Sequence, residues 1–132
     1  MGRVERARWN HNIHYHGVVL AAAPPKCARA LDVGCGEGTL TRDLCRVADH
    51  VTGIDLHAPS IMRAREQNEP LIEYLHGDFF THPFQTASFD LVASIATLHH
   101  VDLEAGLARL AQLVRPGGTS RRRGSRALVR SV

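Results

Sequence analysis

The sequence predicts an α/β protein built on an open parallel sheet, and three features of the chain predict it. Short apolar runs alternate with helical stripes. Glycines and acids gather where the apolar runs end. Proline or glycine stops several of the stripes. Strands that alternate with helices pair in parallel through right-handed crossovers. Helices then cover both faces, and ligands bind at the carboxyl ends of the strands.

The elements follow in order. Residues 1–16 are polar and rich in Arg, Asn and His, with no clean period. Val18 to Ala23 suits a short helix closed by Pro24 and Pro25. Ala28 to Val33 reads as a buried strand running into glycines. From Thr39 to Ala48, the residues Leu40, Leu44, Val47 and Ala48 form one helical stripe. Val51 to Ile54 is a second strand, ended by Asp55. Pro59 suits the first turn of a helix running to Asn68, and Pro70 breaks it. Leu71 to His76 is a third strand, followed by Gly77 and Asp78. Phe89 to Ile95 is a fourth, reached through a loop where a helix is expected. Asp102 caps a helix whose Leu103, Leu107, Leu110 and Val114 share a face, and Pro116-Gly117-Gly118 stops it.

Composition bounds the rest. The 132 residues are 44% apolar and 22% charged, which fits one globular domain and excludes a disordered chain or a collagen-like fibre. No run approaches the roughly 20 apolar residues that cross a bilayer. No charged-then-apolar leader opens the chain, so a cytoplasmic location is expected. Cys27, Cys35 and Cys45 lack metal-type spacing and read as reduced thiols. Five arginines sit in residues 119–132. Without them, 11 basic groups face 13 acidic ones, so the charge of +3 argues little for nucleic-acid binding.

The first strand runs into Asp32-Val33-Gly34-Cys35-Gly36-Glu37-Gly38. Glycines at 34, 36 and 38 allow a sharp turn and close approach to a ligand. The next helix aims its N-terminus there, which favours a carboxylate or phosphate. The spacing G-x-G-x-G differs from the G-x-G-x-x-G of dinucleotide loops. Asp55 lies 21 residues after Gly34, where a carboxylate can accept both ribose hydroxyls. The lesser alternative is a surface Asp that caps the next helix at Pro59. Asp78 and Phe79 either contact a ligand or form a loop turn with Phe79 and Phe80 in the core.

The stretch Leu31-Asp32-Val33-Gly34-Cys35-Gly36-Glu37-Gly38-Thr39-Leu40 resembles motif I of the class I S-adenosylmethionine-dependent methyltransferases. Phe84 through Ser88-Phe89-Asp90-Leu91-Val92 is similar to that family's fourth-strand stretch. Leu113 through Pro116-Gly117-Gly118 is similar to its helix-to-strand turn. The resemblance covers Ala28 to Thr119 and implies a Rossmann-like core over residues 28–119, with S-adenosyl-L-methionine as cofactor. It further implies that Gly34, Cys35, Gly36 and Gly38 face the methionine end and that Asp32 helps hold its ammonium. Asp55 with Leu56 would hold the ribose. Asp78 would accept from the adenine amino group, with Phe79 as backbone partner and apolar wall. Residues 1–27 would supply a lid, with Trp9, Asn12 and Tyr15 over the ligands.

Methyl transfer is an in-line displacement, so alignment and water exclusion matter most. A base is needed only for a hydroxyl or protonated amine acceptor. His99 and His100 follow the fourth strand and are the candidates, with packing or solvated loop histidines as the alternative. His11, His14 and His16 lack a completing ligand, so no metal is expected. The tail 120–132 departs from the resemblance: Arg121, Arg122 and Arg123 cannot enter a buried strand, and only Ala127 to Val132 suits one. The sheet is thus expected to be incomplete on its C-terminal side, through truncation, a frameshift, or an edge that a homodimer covers. The leading expectation is a methyltransferase for a small-molecule acceptor. The alternatives are an inactive cofactor-binding fold, a nicotinamide-dependent oxidoreductase and, disfavoured, a nucleic-acid methyltransferase.

Overall fold

In the computed structural model, residues 16–67, 69–95, 103–116 and 126–130 are described. Residues 16–21 form helix α1. There follow β1 (Arg29–Val33), α2 (Thr39–Leu44), β2 (His50–Asp55), α3 (Ala58–Arg65), β3 (Ile72–His76), β4 (Leu91–Ile95), α4 (Leu103–Leu113) and β5 (Arg126–Arg130). The sheet runs β3-β2-β1-β4-β5, with every pairing parallel. The order reverses between β1 and β4, and such a reversal opens a crevice at the carboxyl edge.

Side-chain alternation assigns the faces. Ala30, Val51, Leu91 and Ala93 face α1 and α2, packing with Val19, Leu40 and Leu44. Ile61 and Ala64 of α3 extend this layer over Tyr74 of β3. Leu31, Val33, Ile54 and Val92 point the opposite way, onto Leu110 and Leu113 of α4. No helix stands between β3 and β4, as the sequence predicts. Phe79 and Phe89, fully or nearly buried, take its place, with Phe80 and Phe84 packed against them.

Several details differ from expectation, among them the end of α3, which stops at Arg65 and not Asn68. α2 ends at Leu44, not Ala48, because a tight turn follows; Ala48 remains buried through it. β4 begins at Leu91, not Phe89. Phe89 instead bridges to Val114, while Asp90 accepts the Ala28 and Arg29 amides at 2.9 and 3.1 Å. The edge of β4, expected to be open or covered by a second subunit, is paired with β5 from Leu91↔Arg126 to Ile95↔Arg130. This strand begins at Arg126, and Arg121, Arg122 and Arg123 lie outside the described residues. No helix among the described residues is long and apolar enough to cross a membrane.

Candidate functional site

The glycine loop leaves β1 at the centre of the carboxyl edge. Gly34, Gly36 and Gly38 adopt φ of 74°, 55° and 89°, the left-handed region that favours glycine. The amides of Gly34 and Cys35 donate to the Ile54 carbonyl at 2.8 and 3.1 Å. The Gly36 amide donates to Asp55 Oδ2 at 2.8 Å, and that of Gly38 to the Cys35 carbonyl at 3.0 Å. Four loop amides are therefore spent inside the protein. A loop that cradles a diphosphate needs its amides directed outward. A Cβ placed on Gly36 would meet nothing within 4 Å, so the loop is open on that side.

Three carboxylates follow successive strands along this edge. Asp32 is buried on β1, and its Oδ2 accepts from Thr41 Oγ1 at 2.8 Å. Burial raises its pKa from the ordinary 3.8 to about 7; the Thr41 hydrogen bond opposes the rise and nearby Asp55 adds to it. Asp55 ends β2 and is half-buried. Besides Gly36, it accepts the His57 amide through Oδ1 at 2.8 Å. Each of its oxygens keeps a second lone pair, so the carboxylate is both anchored and still able to accept. Asp78 follows β3 and accepts the Phe80 amide through Oδ1 at 2.8 Å. Its carbonyl accepts from the Thr81 and His82 amides. An edge with Asp55 and Asp78 at its surface and Asp32 buried behind them suits ammonium, hydroxyl and amino groups better than phosphate.

The remaining expected residues divide. Leu56 is 70% exposed beside Asp55, free to present an apolar side chain. The Phe79 ring is buried in the core, edge-on to Phe80, which leaves its backbone as the part that can face a ligand. The loop-turn alternative describes its side chain. Cys35 packs over Gly53, where an added Cβ would lie 3.0 Å from its Sγ. Burial, with Asp32 and Asp55 adding to it, raises the Cys35 thiol pKa, so it stays protonated. His99, His100, Trp9, Asn12 and Tyr15 lie outside the described residues. His16 lies within them and bonds Asp43 across α1 and α2 at 2.8 Å. Among the described residues no group of acids, histidines or cysteines is arranged to hold a metal.

Sequence reading missed two contributors. Thr41 sits in the first turn of α2, and only the fold shows its hydroxyl reaching back to Asp32. Arg109 of α4 reaches the loop after β3, donating to the Phe79 carbonyl at 3.2 Å and the His82 carbonyl at 2.6 Å. No local motif signals either contact.

Comparison with known proteins accords with this geometry. A family model described as a methyltransferase domain matches residues 31–120. The chain is 45% identical over 114 residues to an uncharacterized methyltransferase of Mycobacterium tuberculosis, covering 84% of this chain and 57% of that protein. It therefore spans little more than half the length of that relative. Among solved structures, an S-adenosylmethionine dependent methyltransferase from Mesorhizobium loti superimposes with a TM-score of 0.66 at 32% identity, covering 77% of this chain and 49% of that one. A Haemonchus contortus phosphoethanolamine N-methyltransferase, solved with phosphoethanolamine and S-adenosylhomocysteine, shares the fold at a TM-score of 0.67 and 23% identity. It covers 78% of this chain and 23% of its own.

Proposed function

The chain belongs to the methyltransferase-domain family, and from that premise we propose that it binds S-adenosyl-L-methionine at the carboxyl edge of its sheet and takes part in methyl transfer to a small-molecule acceptor. One observation carries the reading. Asp55 and Asp78 stand at the edge with Asp32 buried behind the glycine loop, while the amides of Gly34, Cys35, Gly36 and Gly38 are turned inward. That combination fits an ammonium, a pair of ribose hydroxyls and an amino group. It does not fit the diphosphate of a nicotinamide cofactor.

The bound cofactor supplies a methyl group already activated by its sulfonium charge. The chain's residues do the holding. Asp32 offers negative charge near the ammonium end, from behind the glycine loop. Asp55, fixed by the Gly36 and His57 amides, accepts from the ribose hydroxyls. Asp78 accepts from the adenine amino group, and Leu56 covers the ribose and base with apolar surface. The glycine loop lets the backbone approach without a side chain between. His99 and His100 remain the candidates to take a proton if the acceptor needs one.

Calorimetric titration with S-adenosylhomocysteine tests the reading, with Asp55→Ala as control. Binding is expected. The substitution removes an acceptor from the ribose and releases the loop, so affinity should fall by roughly 30-fold or more. Folded wild-type chain that fails to bind would remove the proposal. Binding that Asp55→Ala leaves unchanged would move the site elsewhere.

A further inference from the structure

We propose that Arg109 is a positioning residue for the base end of the ligand, acting through the loop that carries Asp78 and Phe79. The inference rests on the cofactor reading above. That loop has no helix to stiffen it. Asp78 closes a turn on itself, its carbonyl taking the Thr81 and His82 amides and its Oδ1 the Phe80 amide. The turn is tied back at one end, where the Gly77 amide donates to the Asp55 carbonyl at 3.0 Å. Beneath it the Phe79 ring is locked in the core.

Arg109 supplies the other restraint. Its Nε and Nη2 donate to the Phe79 and His82 carbonyls, at opposite ends of the same turn. Its Nη1 is within 3.4 Å of Gln112 Oε1, one helical turn along α4. The guanidinium carbon lies 5.8 Å from the centre of the Phe79 ring and 6.0 Å from that of Phe84. One planar group therefore spans the turn and faces two of the rings beneath it. Only a rigid fork can donate to two carbonyls in this way while facing aromatic rings; an ammonium is a single point donor. Rotation of the turn would carry Asp78 with it, and the contacts of Arg109 oppose that rotation. Specificity for the base would then depend on a residue that does not touch it.

The test compares two ligands in wild type, Arg109→Ala and Arg109→Lys. S-adenosylhomocysteine presents an amino donor to Asp78. S-inosylhomocysteine presents a carbonyl there and reverses the edge. Wild type should prefer the adenosyl ligand by roughly 10- to 100-fold. Both variants should lose most of that preference, through weaker adenosyl binding with inosyl affinity nearly unchanged. Amide exchange in the ligand-free chain gives a second readout. In both variants Phe80, Thr81 and His82 should exchange about tenfold faster or more while β1 is unaltered. Arg109→Lys retains charge and stem, so it tests the proposal even if Arg109→Ala fails to fold. A preserved preference, equal loss for both ligands, or full recovery by Lys would overturn it. Failure of wild type to bind either ligand would overturn the cofactor reading and this inference together, before any variant is compared.

Discussion

Burial governs the chemistry of Asp32. Its folded pKa of about 7 lies above the ordinary 3.8. Between those values the folded chain holds a proton that the unfolded chain has released. Stability contributed by this group is therefore full below about pH 4 and lost as pH rises to 7, by at most about 1.4 kcal/mol per pH unit. Urea midpoints across that range should show the decline, and Asp32→Asn should flatten it. A cationic ligand group nearby favours the carboxylate. Affinity for S-adenosylhomocysteine should then rise with pH up to about 7, with proton release measurable in buffers of different ionisation enthalpy. Equal heats in all buffers would contradict this. Gly38 is constrained twice, by its φ of 89° and by the Tyr74 side chain below it. An added Cβ would collide with the Tyr74 hydroxyl and lie 2.9 Å from Cζ. That hydroxyl is buried beside the Arg42 guanidinium, whose Nη1 would also lie 2.9 Å from the added Cβ. Gly38→Ala should cost about 1–3 kcal/mol in thermal unfolding. Adding Tyr74→Phe should recover part of it, since it removes the atom that the new Cβ meets first.

At the scale of elements, the site depends on joints at both ends of the sheet. The carboxyl edge carries the ligand residues. The opposite end carries Asp90, whose Oδ2 takes two β1-side amides while its Oδ1 meets Arg115 at 3.0 Å. Sequence similarity marks the Ser88-Phe89-Asp90 stretch without saying what Asp90 does. The fold shows it fastening the start of β1 to β4 and to the end of α4. Asp90→Ala should cost about 2 kcal/mol in urea unfolding, because two part-buried amides lose their acceptor. Arg115→Ala should cost under about 1 kcal/mol, since the arginine side chain is 47% exposed. Equal costs would mean that the ion pair, not the amides, holds the joint. Helices and strands were legible because each keeps its period over several residues. Their ends were less so. α2 stops early at a turn that local periodicity continues through, and β4 starts late because Phe89 is drawn to Val114.

For the whole molecule, the decisive feature is the strand order. β1 sits between β2 and β4, so the glycine loop emerges at the reversal point with Asp55 beside it. β5 pairs along the other side of β4. Deleting residues 126–132 should expose the amides and carbonyls of β4 along that edge, and unpaired edges seek partners. Light scattering should show the shortened chain self-associating, with full-length chain as reference. A monomeric, equally stable deletion would show that β5 adds little to the sheet.

Local residue pattern suffices for the α/β class, the order of elements and the places of Asp32, Asp55 and Asp78 towards strand ends. These follow from periodicity and from glycine and proline punctuation, which act over a few residues. Tertiary structure alone decided which groups meet. Thr41 finds Asp32, Asp55 takes the Gly36 amide, Phe79 turns its ring into the core, and Arg109 spans the turn after β3. Each of these contacts joins residues separated by a turn or a crossover. Its geometry is set by how strands and helices pack, and no local pattern of residue types encodes that distance.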